Sequence, residues 1–190
     1  MTAAPSVTVE PATPDRWEDV VALFDRPGDA GRCWCLYFRM PKPEWSRMSV
    51  ADRRDGLAAV VAGGSEPGLL AYVEGEAVGW VSVAPREEFE PHLERTRVLR
   101  PLPGEGVWSV LCFVVRKDAR RRGVASRLLG AAVEHARAHG AKTVEGHPYD
   151  ERLRPPTGWD LYVGTTSMFV RAGFSEVARR GKRPTYRLEL

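Results

Sequence analysis

The fold is decided by the strand-like run Val107-Trp-Ser-Val-Leu-Cys-Phe-Val-Val115, the turn Arg116-Lys-Asp-Ala-Arg-Arg-Arg122 and the segment Gly123–Ala136. The apolar, β-branched run predicts a strand that is buried on both faces. In Gly123–Ala136 the apolar residues recur on one stripe at helical spacing, which predicts a packed helix. The amides of its first turn have no partner within the helix, so with the helix dipole and the arginines they form an anion site.

The remaining strands are predicted from alternation and turn residues. Leu69–Val73 and Val78–Val83 flank a glycine turn and predict a β-hairpin. Lys142–Gly146 predicts another strand, and residues 174–178 and 185–189 predict a final hairpin. One β-α-β crossover among hairpins predicts an α+β (mixed α/β) fold, with helices flanking a mostly antiparallel sheet.

Local signals set the helix starts. Ser49 with Asp52 predicts a capping box, and Thr165 or Ser167 is expected to cap a short helix that ends before Gly173. The arginine-rich turn Arg179–Pro184 is predicted to be the solvated tip of the last hairpin.

Composition bounds the function. The 190 residues suit a single domain spanning 1–190, and the net charge of +3, from 28 basic against 25 acidic residues, argues against nucleic-acid binding. No apolar run is long enough to cross a membrane. Met1–Val7 lacks the basic and apolar segments of a secretory signal, and the three cysteines make no disulfide framework. We therefore expect a cytoplasmic protein with no membrane partner.

Three phosphate-loop designs compete for the basic turn. A nucleoside triphosphate loop requires Gly-Lys-Ser/Thr after a spaced glycine, which is missing. A dinucleotide loop requires three glycines, whereas this turn holds only Gly123. The third design, Arg/Gln-x-x-Gly-x-Gly/Ala, is matched fully by Arg120-Arg-Arg-Gly123-Val-Ala125.

This loop resembles the pyrophosphate loop of the GNAT superfamily of N-acetyltransferases. The resemblance extends to Phe169-Val-Arg-Ala-Gly173-Phe174, whose Gly173 lies 50 residues after Gly123, and to the order of strands and helices over nearly the whole chain. It implies a GNAT fold with the sheet splayed at the cofactor site, acetyl-CoA as the acyl donor, and an amine as the acceptor. It is also compatible with a homodimer.

The resemblance also implies which residues bind the donor. The edge amides and carbonyls of Phe113–Val115 would pair with the pantetheine arm, and an amide near Phe113 would polarise the thioester carbonyl. The amides of residues 121–126 would bind the pyrophosphate, which approaches closely because Gly123 has no Cβ. The predicted donor-binding residues are Phe113, Val114, Val115, Arg120, Arg121, Arg122, Gly123, Val124, Ala125 and Ser126.

The sequence departs from the family at both usual catalytic positions. Many members carry a glutamate base eleven residues before the first loop residue, where this chain has Ser109. The usual acid, a tyrosine four residues before Gly173, is replaced by Phe169. Neither side chain does the proton transfer that acetylation of an amine needs.

Substitutes for the missing groups lie near the predicted cofactor. Glu145 and His147 are candidate bases. The alternative for Glu145 is a strand residue that faces solvent, and the alternative for His147 is a loop residue without a catalytic role. Tyr149 and Tyr162 are candidate acids; the alternative for each is a ring that packs in an apolar region with its hydroxyl in contact with water. Ser167 is a candidate proton relay, and its alternative role is to cap its helix. A further alternative is that no residue acts as the acid, and that the enzyme works by positioning the amine against the thioester.

The region after the first helix forms the acceptor wall in the family. Trp34, Tyr37 and Phe38 are therefore candidate acceptor-site residues together with His147, with plain core packing as the alternative for the aromatics. Cys33-Trp34-Cys35 is accompanied by neither a second cysteine pair nor a His-x-x-x-His pair, so we expect no metal site.

These patterns predict an acetyl-CoA-dependent N-acyltransferase that acts by direct attack of a primary amine in a ternary complex. The acceptor would be a small-molecule or a protein amine. The alternative is a non-catalytic acyl-CoA-binding or regulatory module, which the replacements at Ser109 and Phe169 favour.

Overall fold

A computed structural model describes residues 6–26, 29–158 and 160–190. Seven strands form one sheet in the order β1-β2-β3-β4-β5-β7-β6. The strands are β1 (Val7–Pro11), β2 (Gly68–Val73), β3 (Glu76–Pro85), β4 (Val107–Val115), β5 (Thr143–Gly146), β6 (Ser175–Arg180) and β7 (Arg183–Glu189). Residues 1–5, part of the segment weighed as a secretory signal, lie outside the described residues.

Seven helices accompany the sheet in the described part of the chain. They are α1 (Trp17–Phe24), α2 (Asp29–Cys33), α3 (Lys42–Arg47), α4 (Val50–Ala62), α5 (Glu90–Leu93), α6 (Val124–Ala138) and α7 (Thr166–Arg171). The capping box of Ser49 and Asp52 is confirmed, because both of its hydrogen bonds form. Thr165 caps α7 by accepting a bond from the Met168 amide. None of these helices has the length and apolar character needed to cross a membrane.

The sheet is antiparallel except at one junction. β4 and β5 run parallel and are joined by α6, as the predicted β-α-β crossover requires. Apolar residues of α6, among them Leu128 and Leu129, pack with Val81 and Phe113 on one face of the sheet. Residues of α1 and α4 pack with Trp80 on the other face. The mixed α/β fold expected from the sequence is confirmed.

The parallel pair is short. β5 pairs with β4 from Val107↔Thr143 to Val110↔Gly146, whereas β4 runs on to Val115 with β3 as its neighbour. A bulge accompanies the point of separation, since Ser82 faces Cys112 and the next residue of β3 faces Val110. A bulge bends its strand and redirects the ladder. The two strands therefore part after Gly146.

A phenyl ring occupies the base of this separation. Phe169 is fully buried, and a Cβ built on Gly146 would lie 2.4 Å from its Cε1 atom. The ring also meets Phe113 of β4 edge-on, with the ring centroids 6.4 Å apart. Gly146 is therefore required by close packing, and Phe169 fills the space between the parting strands.

The final hairpin differs from its prediction. Its strands extend to Arg180 and from Arg183, so that only Gly181 and Lys182 form the turn. Arg179 is not at a solvated tip, because its Nη1 atom lies 2.9 Å from the buried carboxylate of Asp150. The turn residues Gly181 and Lys182 are exposed as predicted, but Arg179, Arg180 and Arg183 also contact groups on neighbouring segments.

Replacing Gly146 by alanine tests the packing at the separation. The added methyl group would overlap Phe169, so we expect Gly146→Ala to lower the free energy of unfolding by about 1–3 kcal/mol in urea denaturation. Gly130→Ala is the matched control: it adds a methyl group with no neighbour to an exposed position of α6 and should raise stability by about 0.5–1 kcal/mol. Equal stability of Gly146→Ala and wild type would contradict this packing.

Candidate active site

The turn between β4 and α6 has two residues in the left-handed region. The φ angle is +60° at Arg121 and +79° at Gly123, the residue that precedes the first helical position. A Cβ on Gly123 would meet nothing within 4 Å. Glycine is thus favoured by the backbone angle, and the space above it is not filled by protein.

The arginines of this turn have different surroundings. Arg120 donates from Nε to the Val115 carbonyl at 3.1 Å, which fastens the loop to the end of β4. Arg121 and Arg122 are exposed, and neither forms an ion pair within the described part of the chain. Arg116, by contrast, lies 2.8 Å from the Glu76 carboxylate. The turn therefore offers uncompensated positive charge beside the helix start.

The start of α6 supplies free amides. The first bond of the helix runs from the Arg127 amide to the Gly123 carbonyl, so the preceding first-turn amides have no partner within the helix. Val124 is buried, Ala125 is half-buried and Ser126 is exposed. Free amides, dipole and arginine charge together suit a phosphate group.

The part of β4 beyond the separation offers backbone only. The side chains of Phe113 and Val114 belong to the apolar cores on opposite faces of the sheet. Their peptide groups, with those of Val115, line the edge from which β5 has parted. A short 3-10 helix, Asp160–Val163, packs against β4, and Gly164 follows it beside the Phe113 ring. Any role of 113–115 in binding is thus a main-chain role.

A buried ion pair lies beneath the separation. Glu145 faces Ser109 across the parallel pair, and both side chains are 0% exposed. The Glu145 Oε2 atom accepts from Arg187 Nε at 2.7 Å, and Arg187 Nη2 lies at the same distance. Arg187 also donates to the carbonyls of Leu102 and Pro103. Glu145 is therefore not a solvent-facing strand residue, because the loop before β4 and Arg187 cover it.

His147 continues this polar group toward the separation. Its Nε2 atom lies 3.6 Å from Glu145 Oε1, and its Nδ1 atom lies 3.3 Å from the Thr185 hydroxyl. Burial, reinforced by the charges of Arg183, Arg180 and Arg187, lowers the pKa of His147 to about 3. The imidazole is therefore neutral at neutral pH.

Three buried polar atoms of this group have no hydrogen-bond partner: Ser109 Oγ, Glu145 Oε1 and His147 Nε2. An unsatisfied buried polar atom costs about 1–3 kcal/mol. Two of them lie on facing residues of β4 and β5 and the third lies just after β5, and such a group marks a place that can bind a polar ligand or water.

The candidate acids lie apart from this group. The Tyr149 hydroxyl donates to the Arg154 carbonyl at 3.2 Å, and the residue lines a cavity of about 370 Å³ with Asp160 and Arg183. Ser167 is exposed in the first turn of α7, with its Oγ atom 3.3 Å from Thr165 Oγ1. The proton of Tyr149 is thus already engaged, whereas Ser167 faces solvent.

Glu151 was not identified from the sequence. Its carboxylate accepts bonds from the Thr166 amide and hydroxyl and from the Ser167 amide, at 2.8–3.0 Å. Burial opposes its ionisation, but these bonds prevail and lower the pKa of Glu151 to about 2. It fixes the start of α7, the helix that carries Phe169. No local signal links Glu151 to a helix fifteen residues away.

Of the three aromatic residues predicted to line the acceptor site, one is buried in the core and two are partly exposed. Trp34 is buried and stacks on Phe24, with the ring centroids 5.5 Å apart. Tyr37 is half-buried and contacts His92, and Phe38 packs against a cluster that includes Leu111 of β4. Leu111 and Ser109 share a face of β4. Phe38 therefore lies on the same side of the sheet as Glu145. Trp34 instead belongs to the buried cluster that contains Phe24 and Trp80.

The cysteines pack in the same region. Trp80 donates from Nε1 to Cys35 Sγ at 3.0 Å, and Cys35 and Cys112 belong to the same buried cluster. Burial and the neighbouring Cys35 raise the pKa of Cys33 to about 12. The pKa of Cys112 is raised as well, so the thiols of Cys33 and Cys112 are protonated and unreactive at neutral pH.

The sequence matches a known protein family. The model of a family described as "Acetyltransferase (GNAT) family" matches residues 31–153. No protein in a curated collection matches the sequence.

Several solved structures share the fold. A GNAT-family acetyltransferase from Listeria monocytogenes is 14% identical, with a TM-score of 0.59 over 97% of this chain and 95% of that chain. The PaiA N-acetyltransferase from Thermoplasma acidophilum, in complex with coenzyme A, is 12% identical, with a TM-score of 0.56 over 97% and 99%. A ribosomal-protein-alanine N-acetyltransferase from Brucella melitensis is 16% identical, with a TM-score of 0.55 over 96% and 99%. At these identities the likeness is one of fold.

The cap on α7 predicts a pH-dependent stability. Because the pKa of Glu151 is lowered from 4.5 to about 2, its stabilisation is complete above about pH 4.5 and is lost as the pH falls toward 2. Glu151→Gln should cost on the order of 1 kcal/mol at pH 7 in urea denaturation, and the difference from wild type should shrink below about pH 4.5. Glu105→Gln, at an exposed carboxylate without a partner, is the control. A difference that does not change between pH 7 and pH 2.5 would refute the capping role.

Proposed function

Because the chain belongs to the GNAT family of acetyltransferases, we propose that it transfers an acetyl group from acetyl-CoA to a primary amine in a ternary complex. The proposal rests mainly on one observation: the segment of β4 that no longer pairs with β5 leads directly into the turn with the left-handed Gly123 at the start of α6. The end of β4 therefore places backbone groups without a strand partner next to a helix start that suits a phosphate group. A single domain over 1–190 and a cytoplasmic location remain part of this proposal.

The donor site fits the chemistry of a CoA ester. The first-turn amides of α6, with Arg121 and Arg122, bind the pyrophosphate, and Arg120 keeps the loop on β4. The backbone of Phe113–Val115 pairs with the amide-rich pantetheine arm as an added strand would. Acetyl-CoA supplies a thioester, whose carbonyl oxygen takes up negative charge during transfer. An amide near Phe113 stabilises that charge.

Glu145 is the base that we assign. The amine nitrogen attacks the acetyl carbon, the C–S bond breaks, and the proton lost by the amine reaches the carboxylate through water, because Glu145 itself is fully buried. Arg187 holds Glu145 through Oε2, which leaves Oε1 as the proton acceptor. The neutral His147 lies beside that oxygen, with Nε2 at 3.6 Å, and neither atom has a hydrogen-bond partner. Ser109, at the position where the family pattern has its glutamate, faces Glu145 across the parallel pair.

The leaving sulfur needs a proton or stabilisation as a thiolate. Phe169 provides neither, because it is a buried hydrocarbon ring. Ser167 is the proton donor that we favour, since its hydroxyl is exposed at the start of α7. Tyr149 ranks below it, because its hydroxyl is bound to the Arg154 carbonyl. The acceptor is a small-molecule or protein amine, bounded by Tyr37, Phe38 and His147.

Gly123→Asp tests the donor site. Aspartate tolerates a left-handed φ better than most residues, so the backbone should hold while the new carboxylate repels the pyrophosphate. We expect the Kd for acetyl-CoA, measured by calorimetry, to rise at least about 10-fold, which corresponds to about 1.4 kcal/mol. Gly140→Asp is the matched control, because Gly140 has the same φ of +79° and open surroundings at the other end of α6. Equal affinities of the two variants would refute the loop assignment.

Glu145→Gln tests the base. Loss of a general base should lower kcat by about 10²–10⁴-fold in a thiol-release assay against a panel of amines, with the Kd for acetyl-CoA unchanged. A second variant separates chemistry from stability: Ser109→Glu in the Glu145→Gln background puts a carboxylate on the facing residue and should restore part of kcat. Wild-type kcat in Glu145→Gln would overturn the assignment.

A non-catalytic acyl-CoA-binding module is the second candidate. Buried, non-titrating side chains at both usual catalytic positions, Ser109 and Phe169, favour it. Tight binding of acetyl-CoA by the wild-type protein without thiol release on any amine would support this reading over catalysis.

A further inference from the structure

The far end of α6 brings two histidines and a carboxylate together. His135 and His139 are one helical turn apart, with their ring centroids separated by 4.3 Å. The Glu66 Oε2 atom lies 3.6 Å from His135 Nε2 and 3.7 Å from His139 Nε2. One donor atom from each of the three side chains lies within 4.8 Å of the other two.

These distances do not describe a hydrogen-bonded pair. An N–H···O bond has its heavy atoms about 2.7–3.2 Å apart, and both distances exceed this range. His135 Nε2 is buried and has no hydrogen-bond partner. Tetrahedral zinc with bonds of about 2.0–2.1 Å holds its ligand atoms about 3.3 Å apart, so each histidine nitrogen would have to approach the Glu66 oxygen by only a few tenths of an ångström.

The surroundings prepare the imidazoles as ligands. His139 Nδ1 lies 2.8 Å from the His135 carbonyl, so Nδ1 carries the proton and Nε2 presents its lone pair toward Glu66. Trp108 lies against both rings, with centroids at 5.6 Å and 5.5 Å, and restricts their rotation.

Glu66 is held in place from another part of the chain. Its φ of +46° is uncommon for a residue with a side chain, and such strain tends to occur at functional sites. The next residue, Pro67, is anchored through its carbonyl, which accepts from Arg39 at 3.1 Å. The last turn of a helix also favours a cation through its dipole.

We propose that Glu66, His135 and His139 bind a divalent transition-metal ion, zinc by preference, and leave a fourth position for water. Two imidazoles and a carboxylate are a ligand set that zinc accepts. The ion would tie the loop before β2 to the end of α6. Since α6 has 15 residues, the site lies about 22 Å from the acyl-donor loop and does not depend on the proposed transferase activity.

Calorimetry with zinc chloride on tag-free, chelator-treated protein tests the site. We expect one bound ion per chain and a rise in Tm on addition of zinc. His139→Gln and Glu66→Gln should each weaken zinc binding at least about 10-fold and abolish the Tm rise. Both positions are partly exposed, so the metal-free variants should keep the wild-type circular dichroism.

Glu134→Gln is the matched control, because it removes a carboxylate from the same helix one residue from His135. It should bind zinc as the wild type does. Cobalt substitution distinguishes the thiols: charge-transfer absorption from thiolate would place the ion on Cys33 and overturn the proposal. Absence of binding by the wild type, or equal affinity in all variants, would also overturn it.

Discussion

The separation of β4 from β5 after the Val110–Gly146 pair is the constraint on which the rest of the structure depends. Backbone amides and carbonyls inside a protein require partners. A sheet that opens in its interior therefore needs another strand, a loop or a ligand at the opening. Gly146 allows the Phe169 ring to fill the base of the opening, and the bulge near Cys112 turns β4 away. The edge left beyond this point is the feature that makes the fold suited to a chain-like donor.

The charges beneath the opening follow from the same geometry. The parallel pairing sets Glu145 opposite Ser109, and the adjacent antiparallel pairing sets Arg187 opposite Glu145. A buried carboxylate is tolerated when it is paired and hydrogen-bonded. Arg187 meets this need through one oxygen and leaves the other unsatisfied. The family pattern carries its carboxylate on β4, and here the nearest carboxylate stands on the neighbouring strand.

The two ends of α6 differ in their chemistry for a simple reason. A helix presents amides at its start and carbonyls at its end, which favour anions and cations respectively. The start carries Gly123 and exposed arginines, and the end carries His135 and His139 beside Glu66. The expectation of no metal site rested on the cysteines. It also rested on the absence of a His-x-x-x-His pair, and this ground was wrong, because His135-x-x-x-His139 is such a pair. Glu66 could not have been matched to that pair from the sequence.

The sequence by itself determined the main elements and the turn at Gly123. Periodicity located β4 and α6 and the hairpin of β2 and β3, and turn chemistry located Gly123 and the Ser49 cap, because these signals act between residues close in the chain. Only the tertiary structure decided which distant groups meet. It buried Glu145 against Arg187, put Trp34 in the core, tied Arg179 to Asp150 and fixed α7 through Glu151. Burial and ion pairing depend on strand register and on loops that return from far along the chain, and no local pattern in the sequence encodes them.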